Sequence, residues 1–134
     1  MNFISVLLTL LIIYKLSSVL RRFFGSSLPV REMSKETVAK VNSIINSHPV
    51  FVASKTYCPY CSSAKKTLEA ADADAYVLEL NTLEDGDEIQ DALYSITGQR
   101  TVPSIFIGGK HIGGNSDLQA LGKSALAAKL KEAK

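Results

Sequence analysis

From residue 34 onward the apolar positions change period several times, and each change marks an element. Behind Ser34, which can cap a helix, Val38, Val41, Ile44 and Ile45 recur on one helical face until Asn46-Ser47-His48-Pro49. Val50-Phe51-Val52-Ala53 is a short apolar run bounded by polar residues, which predicts a buried strand leading into Lys55-Thr56-Tyr57-Cys58. Cys61 through Ala71 are good helix formers, and Pro59 is tolerated only in a first turn, so Cys58 is expected at a helix N-terminus. Tyr76-Val77-Leu78-Glu79-Leu80 predicts a second strand. The acidic stretch Glu84-Asp85-Gly86-Asp87 then opens a helix with Ile89, Leu93 and Ile96 on one face, which Gly98 stops. Ser104-Ile105-Phe106-Ile107 and Lys110-His111-Ile112 flank Gly108-Gly109, a linker suited to a tight antiparallel hairpin. Asn115 or Ser116 can cap a last helical region carrying Leu118, Leu121, Leu126 and Leu130. Strands alternating with helices before a closing hairpin predict an α/β domain, a mixed sheet covered by helices.

The segment before this pattern is different. Residues 1–14 are uncharged and almost wholly apolar; Lys15, Arg21 and Arg22 follow, and no acidic residue occurs before Glu32. Fourteen residues fall short of the roughly 20 that cross a bilayer as a helix, but extension to Leu20 reaches that length if Lys15 snorkels. The positive C-terminal flank would keep the following domain on the cytoplasmic side. A mitochondrial presequence competes, since the segment lacks acid and passes through Arg21-Arg22-Phe23-Phe24 to Gly25-Ser26-Ser27; against it, Phe3 to Ile13 is apolar all round, whereas transit peptides are amphipathic. A secretory signal and a dispensable extension stay open. Met33 stands where the globular pattern begins, so initiation there would yield the domain alone. Two parts are therefore expected, a targeting or anchoring segment over 1–32 and a globular domain over 33–134.

Composition narrows the function. The 134 residues leave room for one domain plus an extension, and 46% apolar with 21% charged residues is ordinary globular usage. A net charge of +2, without a cluster of Lys and Arg among aromatics, gives no footprint for nucleic acid. The two cysteines lie together in Cys58-Pro59-Tyr60-Cys61. So close a pair closes almost no loop, which excludes a structural disulfide framework.

Such a pair can be half a zinc site, two inert thiols or a redox couple. Zinc would have to recruit His48 and His111, which lack the usual short spacing. Redox exchange needs an attacking thiolate, a resolving thiol and a geometry in which both sulfurs can bond. Residues three apart at a helix start stand about 5 to 6 Å apart, within the Cα separation that a disulfide accepts. Cys58 comes first, where unpaired N–H groups and the helix dipole favour negative charge. Such settings lower a cysteine pKa from about 8.5 to between roughly 3.5 and 7.5.

With Lys55-Thr56-Tyr57-Cys58-Pro59-Tyr60-Cys61, Arg100-Thr101-Val102-Pro103 and Gly113-Gly114-Asn115-Ser116-Asp117 in that order, the chain resembles a dithiol glutaredoxin of the fungal type from Met33 to its end. The resemblance implies a thioredoxin-like fold, a mixed four-stranded sheet flanked by helices. It also implies a glutathione-dependent oxidoreductase in which Cys58 and Cys61 form the catalytic, redox-active pair. By the same resemblance Pro103 follows a cis bond and Val102 pairs its backbone with the cysteinyl part of glutathione, with Thr101 beside it. Lys55, Gln90 and Arg100 would face the glycyl carboxylate, Lys55 also favouring the Cys58 thiolate. Ser116 and the Asp117 N–H would hold the γ-glutamyl carboxylate, the Asp117 side chain would meet its ammonium, and Tyr57 and Tyr60 would wall the groove. One departure is the stretch Ala70-Ala71-Asp72-Ala73-Asp74-Ala75, compact for its place before the second strand.

The expected cosubstrate is glutathione, with no metal. The expected partners are glutathionylated or disulfide-bonded proteins and, indirectly, the glutathione reductase system; membrane association would run through residues 1–24 of an otherwise monomeric protein. The expected location is cytoplasmic or mitochondrial. Rival readings are an iron-sulfur module sharing a cluster through the nucleophilic cysteine and glutathione, and a thioredoxin-like protein served by a flavin reductase.

Overall fold

The computed structural model describes residues 2–24 and 34–134. Gly25-Ser26-Ser27 and Met33, on which the presequence and second-start readings partly rest, lie outside the described residues. The chain divides into two units, Met1–Glu32 and Met33–Lys134.

The first unit contains one helix, α1 (Phe3–Phe24). Within it Phe3–Leu20 has a mean hydropathy of 2.2, and its side chains are exposed. Three hydroxyls that would otherwise seek water bond back along the helix: Thr9 to the Val6 carbonyl at 2.8 Å, Ser17 to Tyr14 at 2.8 Å and Ser18 to Lys15 at 3.1 Å.

In the second unit α2 (Lys35–Ser47) is followed by β1 (Val50–Ser54), α3 (Pro59–Ala70) and β2 (Tyr76–Glu79). A 3-10 turn over Leu80–Thr82 leads to α4 (Gly86–Thr97), then β3 (Ser104–Ile107), β4 (Lys110–Gly113) and α5 (Asn115–Glu132). The sheet order is β2-β1-β3-β4, with β1 parallel to β2 and both other pairings antiparallel. This is the mixed four-stranded sheet with helices of the thioredoxin-like fold.

The strand period of two sorts the core. Phe51, Ala53 and Phe106 point to one face and pack with Val41 and Ile45 of α2 and Ile89, Ala92 and Leu93 of α4. Val50, Val52, Ile105 and Ile107 point to the other and pack with Ala64 and Leu68 of α3 and Leu118, Leu126 and Leu130 of α5. Covered on both faces, β1 and β3 are buried along their whole length, whereas the edge strands β2 and β4 are partly exposed.

Three local expectations change. Ser34 occupies the N-cap of α2, but its hydroxyl makes no capping bond. The cap of α5 is Gly114, not Asn115 or Ser116; the Asp117 carboxylate reaches back to accept the Gly114 N–H at 3.0 Å, which satisfies a donor at the helix start from inside the first turn. Finally, α5 breaks at Gly122 (φ 72°, ψ 170°), a conformation that favours glycine. The compact stretch after α3 closes with Asp72 at φ 56° and the Ala73 N–H bonded to the Leu68 carbonyl at 2.9 Å.

Candidate active site

The cysteine loop is held from both sides of its parent strand. β1 ends buried at Ser54, and the Lys55 carbonyl then accepts the Cys58 N–H at 3.1 Å, turning the chain toward α3. Asn81, in the turn after the neighbouring parallel strand, accepts the Thr56 N–H at 3.0 Å and donates to Thr56 Oγ1 at 2.7 Å. Cys58 is the N-cap residue (φ −85°, ψ 117°) and Pro59 the first helical residue, where its missing N–H costs nothing. The Cys61 N–H points at Cys58 Sγ, 3.3 Å away. Both thiols are free; Cys58 is half-buried, Cys61 fully buried, and Tyr57 and Tyr60 stand exposed on either side of Cys58.

This geometry separates the two sulfurs in acidity. Burial pushes the Cys58 thiol up, but bonds from the Cys61 side chain and the main-chain N–H groups of Cys61 and Tyr60, with the charge of Lys65, outweigh it, so its pKa lies below the ordinary value. For Cys61, burial and the neighbouring Cys58 sulfur push the pKa up, against opposing bonds from the Lys55 main chain and the Ser54 hydroxyl. Among the described residues that buried hydroxyl has no other hydrogen-bond partner. The outer sulfur is thus the readier of the two to ionise, and the inner one the more reluctant. Lys65, whose charge favours the Cys58 thiolate, lies within α3 and is ion-paired with Glu79 of β2.

Opposite the cysteines runs the loop before β3. The Val102-Pro103 bond is cis, and the Val102 carbonyl lies 3.9 Å from Cys58 Sγ. Cys58, Cys61 and Val102 therefore meet at one sulfur atom. Pro103 is buried and Thr101 exposed. Gln90 donates to the Arg100 carbonyl at 2.7 Å. The Arg100 guanidinium is bonded to Asp91 at 3.1 Å and lies 4.6 Å from the centre of the Tyr94 ring, so an incoming carboxylate has to compete with Asp91 for it. Lys55 contributes its main chain to both cysteines and is itself half-buried.

At the start of α5, Ser116 is exposed and Asp117 is engaged by Gly114. Gly113 has φ 123°, and a Cβ there would collide with the Asp117 carboxylate, so the carboxylate packs against bare backbone. The histidines are far from serving a common centre. His48 stacks on Tyr76 at 4.0 Å with Nδ1 2.8 Å from the Ile44 carbonyl, and His111 Nε2 lies 3.4 Å from Ser104 Oγ. Among the described residues no three His, Cys, Asp or Glu side chains are grouped to hold a metal ion.

Two residues in this machinery were not among the sequence candidates. Lys65 stands two helical turns beyond Cys58, and helix periodicity could have flagged it. Asn81 comes from a separate strand's end, and nothing local marks it.

Comparison with known proteins gives one answer. The family profile described as Glutaredoxin matches residues 50–112. Glutaredoxin-1 of Saccharomyces cerevisiae is 53% identical over 93 residues, which covers 66% of this chain and 84% of that protein. Glutaredoxin-C4 of Arabidopsis thaliana is 48% identical over 90 residues, 67% of each chain. Among solved structures, a buckwheat glutaredoxin-glutathione complex superposes with a TM-score of 0.74 at 44% identity, covering 78% of this chain and 96% of that one.

Proposed function

The chain belongs to the glutaredoxin family, and from that premise we propose how its own residues carry out glutathione-dependent thiol-disulfide exchange. The observation that carries the reading is the Cys58 sulfur, which is met at 3.3 Å by a helix N-terminal N–H and flanked at 3.9 Å by the Val102 carbonyl. The Cys58 thiolate attacks the glutathione sulfur of a mixed disulfide. A Cys58-glutathione bond forms, the substrate bond breaks, and the substrate leaves as a thiolate that takes a proton from water. The thiolate of a second glutathione then attacks the glutathione sulfur of that adduct, releasing glutathione disulfide and the Cys58 thiolate. The net exchange turns one mixed disulfide and one glutathione into one free thiol and one glutathione disulfide.

With a protein disulfide, Cys58 first forms a mixed disulfide with the protein. Cys61 then loses its proton, attacks the Cys58 sulfur and frees the second protein thiol, leaving a Cys58-Cys61 disulfide that two glutathiones reopen in turn. The raised pKa of Cys61 suits it to this second role, since it stays neutral until its neighbour is engaged. The iron-sulfur alternative is not favoured, and Pro59 at the first helical position after Cys58 stands against it.

Glutathione carries two carboxylates and one ammonium. In our reading the Val102 backbone aligns its cysteinyl unit, Thr101, Pro103 and Tyr60 border the groove, and Lys55, Gln90 and Arg100 receive the glycyl end. Ser116 and the Asp117 N–H receive the γ-glutamyl carboxylate at a helix start, where free N–H groups and the dipole favour an anion. With glutathione as the only reductant, the full chain is expected to turn over a glutathionylated peptide. Because a depressed pKa moves ionisation to the acid side, Cys58 alkylation should reach its plateau at lower pH than that of free cysteine. Turnover with a flavin reductase system but not with glutathione would replace this reading by the thioredoxin-like one.

For the rest of the chain the proposal is that residues 1–32 target or anchor the catalytic unit 33–134. Supporting it are the 18 residues Phe3–Leu20 at a mean hydropathy of 2.2, whose helix is about 27 Å long against a hydrocarbon core of about 30 Å. Lys15, Arg21 and Arg22 favour holding the catalytic unit on the cytoplasmic side. The full chain should sediment with membranes and resist carbonate extraction, while Leu11→Asp with Ile12→Asp should release it. Retention of both the unaltered chain and the doubly substituted one in the soluble fraction, with a shortened N-terminus by mass spectrometry, would instead mark a removed presequence.

A further inference from the structure

One side chain holds both carbonyls that flank Val102. Gln99 donates its amide nitrogen to the Thr101 carbonyl and to the Pro103 carbonyl, each at 2.9 Å. Since both partners are acceptors, only the nitrogen end of the amide can face them. The Gln99 main-chain N–H is itself fixed by Thr97 Oγ1 at 3.0 Å, and that hydroxyl is bonded to the Leu93 carbonyl at 2.7 Å, which ties the arrangement to the last turn of α4.

The carbonyl between these two tethered ones, that of Val102, meets Cys58 Sγ at 3.9 Å. The same amide nitrogen lies 3.9 Å from where a Cβ on Gly114 would stand, with the Pro103 carbonyl 3.7 Å from that point. Gln99 thus sits between the Val102 loop and the turn that opens α5.

We propose that Gln99 is a positioning residue for glutathione, holding the Val102 backbone at the depth and angle that the cysteinyl unit requires; this rests on the reading of the Cys58 groove as the glutathione site. It touches neither the sulfur nor the tripeptide. Its loss should therefore weaken substrate alignment and leave the ionisation of Cys58 unchanged.

The test compares Gln99→Met, which keeps the shape but removes the donors, with Gln99→Glu, which also sets a negative charge against two carbonyls. Losing two neutral hydrogen bonds to a half-exposed side chain should raise KM for a glutathionylated peptide about five- to tenfold in the Met variant, and further in the Glu variant, with kcat little changed. The pH profile of Cys58 alkylation by iodoacetamide should match that of the wild type in the Met variant, which adds no charge. A wild-type KM in both variants overturns the proposal. So does a shifted alkylation profile in the Met variant, since Gln99 would then act on the thiolate. A wild-type protein that does not turn over the glutathionylated peptide with glutathione overturns the underlying reading instead.

Discussion

Replacing Cys58 by Ser is expected to abolish turnover of glutathionylated peptides and of protein disulfides alike, by at least about 10³-fold. A hydroxyl cannot form the S–S bond through which every step passes, and it does not ionise near neutral pH. Cys61→Ser should separate the two activities. Cys61 is buried with its pKa raised, and glutathione can reach the Cys58 adduct without it, so deglutathionylation should stay within a few-fold of wild type while reduction of protein disulfides falls steeply. Assaying both substrates on both folded variants checks this division. Equal loss of the two activities in Cys61→Ser would contradict it.

Phe51→Ala should destabilise the catalytic unit by about 3–5 kcal/mol, read from the urea midpoint. Phe51 is 1% exposed, lies in β1, and packs its ring 5.8 Å from Phe106 and 6.2 Å from Tyr76. Removing it opens a cavity between the sheet and the layer of α2 and α4, where no neighbouring side chain can collapse without dragging a strand. Against a total stability of about 5–15 kcal/mol, that is about a fifth or more of what holds the unit folded. Because β1 runs directly into the cysteine loop, activity should fade at a lower temperature in the variant. A loss below about 1 kcal/mol would place the structural centre elsewhere.

The elements with local causes were legible in the sequence. The run Val50-Phe51-Val52-Ala53 reads as a strand because covering both faces demands apolar residues at every position, and Gly108-Gly109 reads as a turn because the hairpin there requires positive φ at both residues. Cys58 at a helix N-terminus followed from Pro59 together with the helix formers behind it. The break in α5 also left a trace, since Leu121 and Leu126 are five apart, out of step with a continuous face, and Gly122 lies between them. What could not be read depends on side chains meeting from distant segments. Lys65 owes its partner to β2, Asn81 reaches Thr56 across 25 residues, and Arg100 is drawn onto Asp91 and Tyr94 by the packing of α4. The Gly114 cap was missed for a different reason. A glycine has no side chain to advertise the role, and the acceptor comes from Asp117 three residues later.

The burial of Cys61 behind a more exposed Cys58 also has a consequence expected under peroxide. An oxidant arriving from solvent reaches the half-buried outer sulfur first and converts its thiolate to a sulfenic acid, the last rung of that ladder from which ordinary thiols can rescue it. The sheltered inner thiol, whose own main-chain N–H lies 3.3 Å from the outer sulfur, is expected to condense with that group, expelling water and closing an internal bond. The concealed sulfur is therefore a fuse that resets. It diverts the damaged centre into a form the cell's own reductant can reopen, and keeps it from the sulfinic and sulfonic states.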